Sequence, residues 1–344
     1  MDVKKLGREL NVRYVLEGSV QRSGNRLRVN VQLIDADTGN HLWAERFDRP
    51  VADLFDMQDE IVSRLVNTLD AELIAVEARR AERSSHPDAM DLCFRGVACL
   101  HGGVTKEHLA QARSFFERAS ALDPQNVQAL VGMGSVDLTM GIDLFSDDRA
   151  VSCSAAEAAL IKAISIAPRY AAAHMLLGAV HIFTARADQG IAECKQALSL
   201  DRNLADAHAW IGLAKHFLDH SEETEAHVYE ALRLSPRDIF AYRWMMIVGI
   251  AKLQLNADTE AVDWLRRSID ANRNFPLAHF YLAVALAMLG SLDEARAAAQ
   301  VGLAFYPDFT IRRFERVSAS NNPTYRAKRQ RIFEGMRLAG VPEG

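Results

Sequence analysis

Apolar residues along this chain follow two different periods. In residues 14–47 the period is two. Within "RLRVNVQLID", Leu27, Val29, Val31 and Leu33 alternate with Arg28, Asn30 and Gln32, the pattern of a strand with one buried face. "YVLEGSVQ" precedes it across "RSGNR", a hairpin turn with Gly and Asn where positive φ is needed, and "HLWAERF" follows across "DADTGN". The pattern predicts a three-stranded meander. A short helix, "VKKLGREL", is expected before it. A long helix from about Asp53, with Leu54, Met57, Ile61, Leu65 and Leu69 on one side, is expected to cover one face.

From residue 88 onward the apolar spacing is helical and it recurs. Helix ends such as "ALDP", "SIAP", "SLDR", "RLSP" and "LAFYP" place equivalent residues at Pro124, Pro168, Arg202, Pro236, Arg273 and Pro307, spaced by 44, 34, 34, 37 and 34. Counting back from each end, the second helix of a unit carries a small residue, a larger one four later and a small one three after that. The sets are Ala112/Phe116/Ala119, Ala156/Leu160/Ala163, Gly190/Cys194/Ala197, Thr224/Val228/Ala231, Ala261/Leu265/Ser268 and Ala295/Ala299/Gly302. Spacings of four and three put each set on one helix face, where small residues permit close approach. Gly96, Gly134, Gly178, Gly212 and Ala283 mark the tightest contact on the first helices. Gly inside a helix costs about 1 kcal/mol relative to Ala, so its return at one position points to a packing need.

The unit resembles the tetratricopeptide repeat, a pair of antiparallel helices with a 34-residue period, and the resemblance covers residues 88–307 in six units. It also accounts for His174, His208 and His279, which share position 4 of their first helices. Equivalent positions lie one repeat apart, on the order of 10 Å. Metal ligands must meet near 2 Å, so these are expected to be packed structural histidines. His216 and His220 have the i, i+4 spacing of a helical metal pair, with Glu222 and Glu223 nearby, but no third ligand is fixed by spacing and no metal is assigned. His101 and His108 flank "GGVTKE" and are expected on the surface. No cofactor motif and no catalytic residue set stands out.

Stacked helix pairs form a superhelix whose concave face is lined by the first helices. The resemblance implies that positions 2, 5, 9, 12 and 13 of those helices face the groove. The candidate partner-binding residues are Met175, Ile182, Phe183, Leu213, His216, Phe217, Phe240, Arg243, Ile247, Phe280, Val284 and Met288. That lining is apolar with Arg243 nearly alone, which suits an amphipathic helix or apolar segment of a protein partner. The tail "NPTYRAKRQRIFEGMRLAGVPEG" is a second candidate occupant: it contains a helix with Tyr325, Ile332, Phe333, Met336 and Leu338, ended by Gly340 and Pro342. The tail is also basic, from Arg312, Arg313 and Arg316 to Arg326, Lys328, Arg329, Arg331 and Arg337, against four acids from residue 308 on, and these charges are expected on a solvated helix face.

Composition changes this picture little. A net charge of −5 gives no pull toward nucleic acid or an anionic membrane, and 49% hydrophobic residues are enough for a sizeable core. Four cysteines without CxxC spacing read as free buried thiols, and no apolar run reaches the roughly 20 residues of a membrane span. The cytoplasm is the expected compartment.

The amino-terminal residues carry a second resemblance. "VKKLGRELNVRYVLEGSVQRSGNRLRVNVQLIDADTGNHLWAERFD…DLFDMQDEIV" is similar to the second half of the TolB amino-terminal-like domain, found beside tetratricopeptide repeats in bacterial class III adenylate/guanylate cyclases and in some winged-helix regulators. The ending "NNPTYRAKRQRIFEGMRLAGVPE" resembles the end of those cyclase-type chains. The family's domain has a further strand and helix upstream, so an incomplete domain with an open sheet edge is expected here.

The fold class expected is mainly α: a tetratricopeptide-repeat α-solenoid (88–307) preceded by a small, incomplete α+β domain (1–83) and followed by a basic capping helix and tail (308–344). The resemblance implies a non-catalytic interaction or regulatory part of a cyclase-like protein, lacking the cyclase catalytic domain. The alternative is the effector part of a winged-helix transcriptional regulator whose DNA-binding domain lies outside this chain.

Overall fold

The alternation in residues 14–47 folds into an antiparallel sheet of order β1–β2–β3, with β1 at Tyr14–Ser23, β2 at Arg26–Asp35 and β3 at His41–Pro50. This computed structural model describes residues 2–53, 58, 61, 73–84, 86–143, 145–146, 148–236, 238–316 and 319–344. The chain divides into two units, residues 1–85 and 86–344.

In the first unit, β2 pairs Val29 with Val20 and Phe47, and Leu33 with Leu16 and Trp43, so the apolar positions share one face. Val31, Leu33 and Phe47 are buried, whereas Leu16 and Val20 on β1 are exposed. A register shift at Leu33/Ile34 breaks the alternation, and Leu33, Ile34, Asp35 and Ala36 are buried in succession. Positive φ in the first hairpin falls on Gly24 and not on Asn25, the Gly-first arrangement of a two-residue turn. Helix α1 (Val3–Leu10) is capped by Asp2 and packs Gly7 against Ala36. Residues 73–82 form helix α2. Arg13 donates to both Glu77 oxygens at 2.7 Å and Tyr14 donates to the same carboxylate, tying the start of β1 to α2. Leu54, Met57, Leu65 and Leu69 of the expected covering helix lie outside the described residues.

In the second unit, α3 (Ala89–His101) pairs with α4 (Lys106–Leu122), α5 (Val127–Ile142) with α6 (Arg149–Ile166), and α7 (Ala171–Phe183) with α8 (Ala187–Leu200). The pairing continues as α9 (Ala205–Phe217) with α10 (Thr224–Leu234), α11 (Ala241–Gln254) with α12 (Asp258–Ala271), and α13 (Pro276–Met288) with α14 (Leu292–Phe305). Every member of the six small–large–small sets is buried. The glycines opposite them explain the close approach. A Cβ at Gly178 would lie 2.7 Å from Cys194 Sγ and 2.9 Å from the Gly190 carbonyl oxygen, and one at Gly134 would lie 2.8 Å from Leu160.

The fifth pair corrects the expected register. There Gly249 abuts Leu265, with the same sixteen-residue gap that separates Gly178 from Cys194. The three extra residues of the 37-residue spacing therefore precede α11 and do not lie within it. Arg243 takes position 2 of that helix. Phe240 is no groove residue but the N-cap of α11, its ring edge-on to His101 at 6.5 Å. His101 and His108, expected on the surface, are half-buried, and His108 Nδ1 bonds the Gly103 carbonyl.

The chain ends with α15 (Ile311–Arg316) and α16 (Pro323–Leu338), which packs on α11, α13 and α14. Tyr325, Ile332, Phe333 and Met336 are buried; Leu338, expected among them, is exposed. Gly340 stops the helix at φ 78°, and the Ile311 and Arg312 amides donate to the Pro342 and Glu343 carbonyls.

Candidate binding surface

The inner helices α7, α9, α11 and α13 bring their side chains to one cavity holding about 100 Å³ of space for water-sized molecules. Of the sequence-predicted residues, Phe183, Leu213, Phe217, Arg243 and Ile247 line it. Trp210, Met246, Ile250 and Tyr281 of the same helices join them. Further parts of the wall come from outside the regular repeat positions: Asp143 and Arg149 flank the loop between α5 and α6, while Phe314, Tyr325 and Arg329 belong to the C-terminal segment. Aromatic rings meet edge to face here, Phe183 lying 5.8 Å from Trp210 and 6.1 Å from Phe217.

The remaining predicted residues lie elsewhere. Phe280 turns into its own helix pair, against Gly302 and stacked on Phe309 at 3.9 Å. Ile182 packs on Gly190 of the partner helix, and Met175 is buried in the core around α9. Val284 and Met288 face the C-terminal helix, because a Cβ at Gly335 would come within 2.7 Å of Val284 Cγ1 and 3.1 Å of Met288 Cε. His216 is buried beneath Tyr325, ring to ring at 5.2 Å, with Nδ1 2.9 Å from Ser221 Oγ. Burial pushes its pKa down to about 3, so the ring is neutral. His220 is exposed, and its ring nitrogen lies within 4.8 Å of ligand atoms of Glu222 and Glu223 on an exposed turn. His174 and His279 are held inside their own units, each bonded through Nε2 to the carbonyl six residues earlier, Pro168 and Arg273.

Arg243, the cation expected to face a partner, is held by the molecule itself. It donates to both oxygens of Asp143 at 3.0 and 2.5 Å. Burial opposes its charge, and the Asp143 carboxylate outweighs that cost and keeps the guanidinium charged. Nearby, Asp206 accepts from Trp244 Nε1 at 2.7 Å. Burial first, then the neighbouring Asp238 charge, raises its pKa to about 7.

The basic tail residues are anchors and not a solvated face alone. Ser320 Oγ and Asn322 Nδ2 donate to the Phe217 and Leu218 carbonyls at the end of α9. Lys328 reaches Asp219 at 2.7 Å, and Arg331 donates to both Asp258 oxygens at 2.7 and 2.5 Å. Arg329 stacks on the rings of Phe314 and Phe333 and donates to the Phe314 carbonyl at 2.9 Å. Among the described residues no helix is long and apolar enough to cross a membrane.

Residues 269–308 match the tetratricopeptide repeat family. A stretch of 141 residues is 43% identical to a protein of Rhizobium meliloti (strain 1021) named putative adenylate cyclase 3; it covers 40% of this chain and 24% of the relative. The chain thus spans about a quarter of the length of that relative. Among solved structures, the APC/C hetero-tetramer Cut9–Hcn1 superposes with a TM-score of 0.56 at 17% identity, covering 73% of this chain and 46% of the other. The human IFIT1 dimer with m7Gppp-AAAA gives 0.55 at 16% identity, covering 67% and 55%. The fold is therefore a tetratricopeptide-type helical solenoid, preceded in the sequence by a small three-stranded sheet.

Proposed function

We propose that this chain is the interaction and regulatory part of a bacterial adenylate cyclase-like signalling protein. It performs no catalysis itself and receives a partner's apolar or amphipathic segment along the concave face of its repeats. The observation that carries this reading is the close sequence identity to part of a protein named as a cyclase. The amino-terminal unit is assigned to the TolB amino-terminal-like type on the residues quoted above. The mode of binding is inferred from the repeat geometry: equivalent positions of successive first helices recur one repeat apart, which an amphipathic helix meets with anchors at i, i+3 and i+4. The C-terminal helix already occupies the far part of that face, over Val284 and Met288. The segment is accordingly assigned to α7, where the half-buried Ala172 and Phe183 lie, and to the neighbouring α9.

Cellular cyclic AMP tests the reading. The gene is deleted and restored either as wild type or with Ala172→Trp, a bulky side chain on the proposed binding face. Deletion is expected to change cyclic AMP content, wild type to restore it, and the variant to fail. Equal cyclic AMP in all three strains would overturn the proposal.

A further inference from the structure

The sheet of the first unit has a second face, opposite the one that carries Val31, Leu33 and Phe47. Alternate residues of a strand point the same way, so the strand register says which residues share it. Gln21 of β1 lies opposite Arg28 of β2, which in turn lies opposite Asp48 of β3. Arg26 and Arg46 stand two residues away from Arg28 and Asp48 along their own strands. Neighbours set diagonally on a sheet are about 7–8 Å apart, within reach of long side chains.

The charges gathered here do not balance. Arg26 donates through Nε to Asp48 Oδ1 at 2.9 Å, and Arg28 through Nη2 to Oδ2 at 3.1 Å. Arg46 Nη2 lies 3.6 Å from the same Oδ2, too far for a hydrogen bond. The Arg28 and Arg26 guanidiniums hold the Asp48 carboxyl below the usual carboxylate range, so it is ionised. Three guanidiniums still share that single carboxylate, and the cluster keeps an excess of two positive charges. Glu17, an acid on the same face, is bonded by Gln32 four residues along β2 from Arg28. The donors also exceed the acceptors, and Arg28 Nε has no hydrogen-bond partner. All three arginines are open to solvent, at 68%, 41% and 57% exposure for Arg26, Arg28 and Arg46.

We infer that this face binds a phosphate group, as the free ion or as a monoester, between Arg26, Arg28 and Arg46. A phosphate monoester carries about −1.5 to −2 charge at pH 7 and three strong acceptor oxygens, which matches both the excess charge and the spare donors. The planar arginine fork fits phosphate oxygens in pairs. A carboxylate or a phosphodiester brings one negative charge and leaves the cluster positive.

Phosphorus NMR titration of the full chain at pH 8 and low ionic strength tests this with inorganic phosphate, phenyl phosphate and dimethyl phosphate. The first two are expected to bind, and the singly charged diester at least about tenfold more weakly. Tighter binding of phenyl phosphate would point to an ester as the source, and tighter binding of inorganic phosphate to the free ion; either order supports the site. Arg28→Gln and Arg46→Gln are each expected to weaken binding about tenfold. Arg22→Gln removes the same charge from the opposite face, where Arg22 pairs with Leu27, and is expected to leave binding unchanged. Arg46 has no hydrogen bond to Asp48, so its variant decides should Arg28→Gln not fold. No binding of either monoanionic-to-dianionic phosphate overturns the inference. Equal binding of the diester overturns it, as does equal weakening by Arg22→Gln and Arg46→Gln.

Discussion

Asp143 and Arg243 are one hundred positions apart and joined by two hydrogen bonds. Asp143 ends the first helix of the second repeat, and Arg243 opens the first helix of the fifth. The ion pair spans the concave face and passes over two intervening repeats. Both side chains are nearly inaccessible, at 7% and 12% exposure. Removing one partner leaves a buried charge uncompensated, which typically costs about 3–5 kcal/mol. Arg243→Met and Asp143→Asn are each expected to lower the urea midpoint by a corresponding amount. The double change Asp143→Leu/Arg243→Met is expected to recover most of it. A loss under 1 kcal/mol for the single variants would mean the pair is dispensable.

The C-terminal segment covers apolar surface that the repeats leave open. Deleting residues 321–344 removes Tyr325, Phe333 and Met336, all buried, and uncovers Val284 and Met288. The truncated protein is expected to lose solubility and self-associate in size-exclusion chromatography with light scattering. A truncated chain as stable and monomeric as the parent would contradict the covering role. Phe333→Ala isolates the packing component and is expected to cost about 3–5 kcal/mol.

Two glycines in first helices are expected to respond oppositely to alanine. At Gly178 the new methyl meets the backbone of the facing helix, 2.9 Å from a carbonyl oxygen and 3.2 Å from an amide nitrogen, and backbone cannot move aside cheaply. The gain of about 1 kcal/mol in helix propensity is outweighed by an overpacking cost of roughly 1–3 kcal/mol. At Gly141 the nearest atoms stand at 3.5 Å, so propensity decides and Gly141→Ala is expected to stabilise by up to about 1 kcal/mol. Thermal midpoints of the two variants check the sign.

Acidity separates two groups of the inner helices. The Asp206 carboxyl titrates near 7 in the folded protein and near 3.9 when unfolded. The folded state therefore binds more protons between those values, and this group's contribution to stability falls as pH rises from about 4 to 7. His216, lowered to about 3 by burial, acts in the opposite direction between about 3 and 6.5, because there the unfolded state binds more protons. Asp206→Asn keeps an acceptor for Trp244 and removes only the first contribution. Relative to wild type the variant is expected to be more stable at pH 8 than at pH 5, by roughly 1.4 kcal/mol for each pH unit from 5 up to the folded value. An identical difference at both pH values would show that Asp206 is not perturbed.

Local packing was legible in the sequence because it is local. Gly178 and Cys194 touch within one helix pair, so the 34-residue period and the small–large–small sets contain the information needed to place them. The register of the fifth unit was equally present: the gap from Gly249 to Leu265 repeats that from Gly178 to Cys194, but counting from Pro236 hid it. The cavity was another matter. Whether Asp143 reaches Arg243 depends on curvature accumulated over several repeats, which no single repeat encodes. One sign did exist. The 44-residue spacing marks extra residues in the second unit, and Asp143 and Arg149 flank that longer connection. The tail arginines were read as a solvated face because their acceptors, Asp258 and the Phe314 carbonyl among them, are distant in sequence or belong to backbone.

Solenoids ordinarily come apart piecemeal from an end, since each unit leans only on its neighbours. Here α16 is bonded near the end of α9 and at Asp258 and packs on α13 and α14, while Asp143 holds Arg243 across the face. Loosening the sixth pair strips support from the fourth, and loosening the second strips it from the fifth. The nearest-neighbour stack has become a closed circuit of dependencies, and residues 127–338 are expected to melt as a single cooperative body in place of a fraying series.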